Sequence, residues 1–312
     1  MKEFAEKYLR KCARIGDFPI LLMIYAFFLI VMGQLVGDSL IRFLFGPEEA
    51  MSPQLETFTM YFSFIGIWIV VLLMMLRKLD RPMFQCLMPN KTGNTPKWLL
   101  IGLLIGAGMN VAAILASILL KDIAVSFRVF EPLWLIAIFL AVVVQAGGEE
   151  LVCRLYVYQR TCRRYKNPAA GFVVSAVFFA LIHSLNDGIR PAGYAHLVLD
   201  GIIYSMLVYF FDSFWGAVMA HTGWNFTQHL LFGLPNSGKV AKYSLLGIDA
   251  ASDGFFFDTV FGIEGGWGTV LLQLIVAVCI FLYGRSHRCQ CVDIWAEQEQ
   301  KAIAKEAAEA MA

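Results

Sequence analysis

Charged residues are scarce in this sequence. Only 16% of its 312 residues are Asp, Glu, Lys or Arg, whereas soluble domains contain about 25%. Hydrophobic residues make up 59% of the chain, which argues against a soluble globular protein. The net charge is only +1, so no excess of basic residues indicates a nucleic-acid partner. The composition predicts a protein that crosses the lipid bilayer several times.

Familiar metal and disulfide patterns are also missing. The seven cysteines include no Cys-x-x-Cys pair and their number is odd, so neither a disulfide framework nor a cysteine zinc site is predicted. There is no His-Glu-x-x-His motif, and no second histidine lies four residues after His183. We expect no cofactor, although a divalent metal in a mixed Glu/His/His site drawn from three helices stays open.

Long apolar runs are what the sequence has in abundance. A membrane span needs about 20 mostly apolar residues. Eight segments qualify, at 18–37, 58–76, 98–120, 132–153, 169–187, 193–211, 213–232 and 267–284. The first lacks a small-x-small cleavage site and is predicted to be a retained span. The short boundary at 211–213 predicts a tight helical hairpin. The expected fold is all-α, a polytopic bundle of about eight transmembrane helices.

The basic residues are distributed unequally between the two sides of this bundle. Eighteen of the 25 Lys and Arg residues fall on one side and six on the other, with Arg154 inside a motif. The larger group lies in 1–17, 77–97, 160–166 and 285–305. Because basic residues favour the cytoplasmic side, both termini are predicted to be cytoplasmic.

Four parts of the chain can be distinguished. Residues 1–130 carry the first three spans, and 131–232 form a core with four spans and most intramembrane polar groups. Residues 233–291 hold an outer loop, rich in glycine and aromatics over 233–266, and the last span. Residues 292–312 are rich in strong helix formers, with Glu297 and Lys301 at ion-pair spacing, and predict a cytoplasmic helical tail.

Two adjacent carboxylates, Glu149 and Glu150, end the fourth predicted span. Charge near the bilayer centre costs about 2.5 kcal/mol or more per group, which points to a functional use. Arg154 is four residues after Glu150 and shares its helix face, in the favourable order for an ion pair. Glu149 is then left to face a cavity, where a carboxylate can act as a general base. The structural alternative is that both glutamates cap the end of the span.

Other spans supply the remaining intramembrane polar groups. His183, one turn after Phe179, faces the bundle interior as a catalytic group or as a structural donor. His221 and Asn225 share one face and offer N–H donors. Such donors suit an oxyanion hole or an interhelical hydrogen bond.

Three further histidines receive weaker predictions. His196 and Asp200, at i,i+4, are expected to be a structural or supporting pair. His229 is expected near the membrane interface and His287 in the cytoplasmic tail.

The order Glu149-Glu150-x-x-x-Arg154, Phe179-x-x-x-His183 and His221-x-x-x-Asn225 resembles the CAAX protease and bacteriocin-processing family of intramembrane endopeptidases. That family includes the type II CAAX prenyl endopeptidases, and the resemblance covers about 131–232. It implies a peptide hydrolase of the glutamate type with eight membrane spans.

The resemblance also implies the catalytic roles. Glu149 and His183 would activate a water, His221 and Asn225 would stabilise the oxyanion, and Glu150 with Arg154 would hold the helix. The implied partners are the bilayer and a membrane-associated peptide or protein, whose prenylation the sequence leaves open, with no nucleic acid.

The predicted depths of these residues disagree. Glu149 lies near the cytoplasmic end of its span, whereas His183 lies about 21 Å from that side. We expect the helix of Glu149 to continue through 155–158 and the next helix to begin near Tyr165.

Two alternatives to the glutamate peptidase stay open. One is a non-enzymatic membrane protein such as a proton-coupled transporter or a scaffold, because intramembrane Glu, Arg and His also form proton relays. Against a transporter, no internal repeat is visible. The other is a metal-dependent form of the peptidase. The short loops favour a prokaryotic plasma membrane over the endoplasmic reticulum.

Overall fold

The computed structural model describes residues 15–89, 93–287, 292–296, 300 and 304. Its main elements are α1 (Pro19–Phe45), α2 (Pro53–Phe62), α3 (Ile65–Met75), α4 (Pro96–Leu119), β1 (Ile123–Phe127), α5 (Pro132–Glu150), α6 (Tyr158–Tyr165), α7 (Pro168–Ile182), α8 (Pro191–Phe211), α9 (Phe214–Asn225), β2 (Leu246–Ala251) and α10 (Trp267–Ser286). Six of these helices begin with proline, because its fixed φ and missing N–H suit the first helical position. The predicted helix of the tail, with Glu297 and Lys301, falls largely outside the described residues.

The predicted polytopic helical bundle is confirmed. Within the described ranges, seven helical segments are long and apolar enough to cross a membrane, and each coincides with a predicted span. The other predicted span, 213–232, is helical as well, over Phe214–Asn225 and Phe226–Leu231, and most of it is buried within the bundle. It follows α8 after Asp212, which takes a left-handed conformation at φ 50°. The predicted tight hairpin is therefore present.

Helix α9 lies against α4 through small residues. A Cβ atom at Gly102 would lie 2.1 Å from the carbonyl oxygen of Gly216, and one at Gly106 would lie 1.8 Å from that of Ala220. Only glycine permits this approach, in the small-xxx-small manner of membrane helices. The contact fixes α9, and with it His221 and Asn225, inside the bundle.

The helix that carries the glutamates is longer than the predicted span 132–153. It runs from Pro132 to Tyr165, so the prediction that it continues through 155–158 is confirmed. Tyr165 ends this helix and α7 begins at Pro168, which corrects the expectation that the next helix begins near Tyr165. Glu149 is then about 24 Å from the Tyr165 end, and His183 is about 22 Å into α7. The two depths agree.

Two π-helical segments follow directly after predicted site residues. Leu151–Val157 connects α5 to α6 after Glu150, and Phe226–Leu231 continues α9 after Asn225. An inserted π turn carries one extra residue and is frequent at functional sites. Each segment changes the direction in which side chains after the π turn face, so faces inferred from a regular helix do not hold beyond Val157 or Leu231.

The structure contains one antiparallel pair of short strands, which the all-α prediction did not include. β1 pairs with β2 from Ile123↔Ala251 to Phe127↔Leu246, with an irregularity between Ala124 and Val125. The pairing connects the α4–α5 loop to the long segment 233–266. This segment is consequently fixed over one end of the bundle, where it supplies side chains to the central cavity.

Ion pairs fix the other end of the long helix. Arg160 donates to Asp17 at 2.6 Å, and Arg163 donates to the same carboxylate at 2.7 Å. Trp295, in the short described part of the tail, donates its indole N–H to the carbonyl oxygen of Gln159 at 3.1 Å. These contacts hold α6 against the residues that precede α1 and against the tail.

Candidate active site

The bundle contains a cavity of about 230 Å³. Four of the six predicted site residues line it, namely Glu149, His183, His221 and Asn225. They come from α5, from the end of α7 and from α9, so three helices that are distant in sequence meet at one place. Glu150 and Arg154 lie behind this wall and are fully buried.

The predicted Glu150–Arg154 ion pair is present, with 3.1 Å between Arg154 Nη1 and Glu150 Oε1. The Arg154 guanidinium also lies over the rings of Phe179 and Tyr204, at 4.5 and 5.2 Å from their centroids. These contacts stabilise a buried cation. Glu150 has a second partner that its spacing did not indicate, because its Oε1 accepts a hydrogen bond from His221 Nδ1 at 3.0 Å.

His221 is placed between the two glutamates. Its Nδ1 donates to Glu150, and its Nε2 lies 3.8 Å from Glu149 Oε2. Its ring stacks on Tyr204 with a centroid distance of 5.3 Å. The distance to Glu149 is too long for a hydrogen bond, but a water could contact both atoms. Nδ1 is already engaged, so His221 can donate from Nε2 only as an imidazolium.

Glu149 has one engaged and one available oxygen. Gln145 donates to its Oε1 at 2.7 Å, whereas Oε2 is buried and has no hydrogen-bond partner among the described residues. Leaving a buried acceptor unsatisfied costs about 1–3 kcal/mol. An oxygen of this kind, facing a cavity, is suited to bind and deprotonate a water.

Asn225 is held by hydrogen bonds on both sides of its amide. Its Nδ2 donates to Gln145 Oε1 at 2.9 Å, and its Oδ1 accepts from Asn236 Nδ2 at 3.1 Å. An amide nitrogen carries two hydrogens, so one N–H remains for a group in the cavity. Gln145 therefore orients both Glu149 and Asn225.

His183 ends helix α7, and its Nδ1 lies 2.8 Å from the carbonyl oxygen of Phe179. A carbonyl only accepts hydrogen bonds, so Nδ1 carries the hydrogen, and Nε2 of the neutral ring is an acceptor. The ring packs on Phe179 at 4.7 Å between centroids. Phe179, one turn earlier in the chain, therefore packs against the ring of His183.

The six predicted site residues all lie in one segment that is similar to a known protein family. Residues 131–227 match the family model described as type II CAAX prenyl endopeptidase Rce1-like. The predicted resemblance is thereby confirmed for about a third of the chain, which includes all three motifs. No curated protein and no solved structure matches the chain. The match supports a CAAX-type intramembrane endopeptidase, a peptide hydrolase, in an integral multi-pass membrane protein.

Several cavity residues of the Rce1-like segment were not predicted from the sequence, and Gln145 is the one that hydrogen-bonds to two predicted site residues, Glu149 and Asn225. Its signal was its position four residues before Glu149, on the same helix face. Beyond the segment, Asn236, Lys239 and Glu264 complete the wall from the loop 233–266. No spacing pattern indicated them, because they reach the cavity only through the fold of the loop.

Glu264 is the most buried of these loop residues. It accepts hydrogen bonds from the Trp224 indole at 3.2 Å and from the Ser237 backbone N–H at 2.7 Å. Burial raises the pKa of this carboxyl to about 7, although these donors and Gln228 partly oppose the rise. Glu264 can therefore change its charge near neutral pH.

Two of the weaker predictions can be compared with the structure. His196 and Asp200 form their expected pair at 3.2 Å, and both line the cavity. His229, expected near the membrane interface, faces the interior of the bundle. It is buried within the π-helical segment Phe226–Leu231, and its Nδ1 contacts the Tyr61 hydroxyl. Within the described ranges, no three His, Cys, Asp or Glu side chains are grouped to hold a metal ion.

Proposed function

We propose that the protein hydrolyses a peptide bond of a membrane-associated protein or peptide inside the bilayer. The observation that carries the proposal is the buried Glu149 Oε2, which has no hydrogen-bond partner among the described residues and faces His221 Nε2 across 3.8 Å at the central cavity. The Rce1-like match over the same residues supports it.

In the proposed reaction Glu149 Oε2 takes a proton from a water held with His183 Nε2. The water oxygen bonds to the scissile carbonyl carbon, and the carbonyl electrons move to its oxygen. His221 Nε2–H and the remaining N–H of Asn225 donate to this oxyanion. When the C–N bond breaks, Glu149 returns the proton to the leaving amine, so proton and electron pair balance.

Glu150 and Arg154 support this reaction from behind the cavity wall. The carboxylate of Glu150 stabilises the imidazolium form of His221 by a charge-assisted hydrogen bond. Arg154 pairs with that carboxylate and holds it in position. We further propose that both termini are cytoplasmic and that the protein resides in a prokaryotic plasma membrane, on the charge distribution and short loops of the sequence.

The proposal is tested by comparing membrane proteomes of cells that produce the wild type or Glu149→Gln. Glutamine preserves the acceptor for Gln145 but cannot take a proton, so peptide termini made by the wild type should be absent from the variant. Glu49→Gln, a change at an exposed carboxylate, is the matched control. Unchanged termini in Glu149→Gln would contradict the proposal.

The wild-type protein and the Glu149→Gln variant also distinguish the two alternative functions, a transporter and a metal-dependent peptidase. Proton flux in liposomes without any change in peptide termini would support a transporter. Loss of cleavage by the purified protein on adding a chelator, with recovery on adding a divalent metal, would support the metal-dependent form.

A further inference from the structure

One end of the bundle is closed by connections that contact one another. The connection between α3 and α4 meets α6 there, since Arg163 donates to the carbonyl oxygen of Leu79 at 3.3 Å. It also meets the turn between α8 and α9, since Ser213 donates to the carbonyl oxygen of Gly93 at 2.6 Å. We call this the basic end. It carries the basic residues Arg77, Lys78, Arg81, Lys97, Arg160, Arg163, Arg164 and Lys166.

The opposite end of the bundle is covered by the segment 233–266, and we call it the loop end. The segment is held there by the pairing of β2 with β1. It also contacts the loop 183–190, where Arg190 pairs with Asp258 at 2.5 Å. In the loops of this end acidic residues outnumber basic ones, the acidic ones being Glu48, Glu49, Asp122, Glu131, Asp187, Asp249, Asp253, Asp258 and Glu264.

The central cavity reaches the surface at the loop end. Four of its lining residues belong to the loops of this end and are not buried, namely Asn186, Asn236, Ser237 and Lys239. The side chain of Asn236 donates to Asn225, so one hydrogen bond connects this surface to the proposed oxyanion site. The other lining residues that are not buried lie within the helical spans, namely Ile30, Gln34, Met60, Phe64, Ile182 and His183. Water therefore enters from the loop end.

Packed residues separate the same cavity from the basic end. The segment Leu151–Val157 lies between Glu149 and that end, every residue in it is at most 1% exposed, and none of them lines the cavity. Beyond this layer Arg160 and Arg163 pair with Asp17. About 24 Å of helix thus lies between Glu149 and the basic end, with no path for an extended peptide among these residues.

The charge of the two ends indicates which side of the membrane each one faces. Eighteen of the 25 Lys and Arg residues fall on the side of the basic end, and basic residues favour the cytoplasmic side. We propose that the cavity opens on the side opposite the cytoplasm, and that the enzyme cuts a segment of a membrane-associated peptide that has been exported across the bilayer. The inference rests on the proposed peptidase function and adds the side from which substrate and water enter.

A cytoplasmic peptide segment would have two routes to Glu149, and both are unfavourable. It would have to separate the packed layer Leu151–Val157, or it would have to carry its backbone N–H and C=O groups unpaired through the hydrocarbon. A segment on the other side meets the Asn186 and Asn236 loops, whose polar groups can bind its backbone.

The side of the opening is tested first on the unmodified protein. Intact spheroplasts that produce it are treated with sulfosuccinimidyl acetate, an amine reagent that does not cross membranes, and modified lysines are identified by mass spectrometry. Lys121 and Lys239 are exposed at the loop end, whereas Lys78 and Lys97 are exposed at the basic end. We expect the first pair to be modified in intact spheroplasts and the second pair only after the membrane is permeabilised. The reverse pattern would overturn the inference.

The second test asks whether the substrate uses this opening. Spheroplasts that produce Lys239→Cys are treated with a maleimide carrying a poly(ethylene glycol) chain, which stays outside. We expect loss of the peptide termini that distinguish the wild type from Glu149→Gln, relative to the untreated variant. The matched control is Lys121→Cys, which places the same group at the same end at a residue that does not line the cavity. The wild type, treated in the same way, controls for the native cysteines.

Equal inhibition of Lys121→Cys and Lys239→Cys, or inhibition of Lys239→Cys only when the reagent is admitted to the cytoplasm, would overturn the inference. Termini that depend on Glu149 but lie in cytoplasmic segments of their substrates would also overturn it, while retaining the peptidase. Modification of Lys239 from outside, with the same termini in the wild type and Glu149→Gln, would support the outward opening and contradict the peptidase.

Discussion

His221 directs its Nδ1 at Glu150 Oε1, 3.0 Å away, and its Nε2 towards Glu149. The two glutamates, adjacent in sequence, thus contact opposite edges of one imidazole. This division separates a carboxylate that holds the ring from one that faces the cavity. The separation follows from the 100° between consecutive helix positions together with the position of α9.

Neutralising Arg154 should destabilise the protein more than neutralising both members of its pair. Arg154→Met leaves Glu150 as a buried charge with only His221 as a partner, and losing one partner of a buried pair costs about 3–5 kcal/mol. The double variant Glu150→Gln/Arg154→Met leaves no such charge. Unfolding in detergent measures both, and a double variant less stable than Arg154→Met would contradict this.

Gln145 should act as a positioning residue for the reaction. Gln145→Leu removes its hydrogen bonds to Glu149 and Asn225 while keeping its volume. We expect kcat to fall about tenfold or more with little change in KM or thermal stability. The control is Gln54→Leu, which removes a Gln–Glu hydrogen bond of 2.9 Å to Glu131 away from the cavity. Equal effects of both changes, or an effect on KM alone, would rule out the positioning role.

Two glycines of helix α4 should respond in opposite ways to alanine. At Gly106 a Cβ would lie 1.8 Å from the Ala220 carbonyl oxygen, whereas at Gly108 no atom lies within 4 Å. Gly106→Ala must separate α4 from α9 and should lower both stability and activity. Gly108→Ala should be neutral or slightly stabilising, since alanine is the better helix former by about 1 kcal/mol. Thermal unfolding in detergent compares them, and equal melting temperatures would contradict the close contact.

Glu264 should make stability depend on pH. Its pKa is about 7 in the folded protein but about 4.3 in an unfolded chain, so the folded state binds the extra proton between these values. The contribution of protonated Glu264 to the free energy of unfolding is complete below about pH 4, and it is lost as the pH rises to about 7.

Glu264→Gln removes this dependence, so its melting temperature should exceed that of the wild type increasingly as pH rises from about 4.5 to about 7.5. A difference between the two proteins that stays constant over this range would contradict the raised pKa.

The sequence by itself determined the spans, because twenty apolar residues in succession have no other stable placement than a membrane or a large core. It also determined the Glu150–Arg154 pair, since four residues along one helix bring two side chains together whatever surrounds them. The three motifs indicated which helices meet, although not at what depth.

Only the tertiary structure decided the contacts between elements. The bridge from Gln145 to Asn225 depends on how α5 and α9 are rotated relative to each other, and the close packing of α9 on α4 fixes α9. His229 faces inward from a π-helical segment that no residue pattern in the sequence predicted. Lys239 and Glu264 reach the cavity because β1 and β2 pair across more than a hundred residues of sequence. Such pairings depend on the combined packing of the whole chain, which local spacing does not contain.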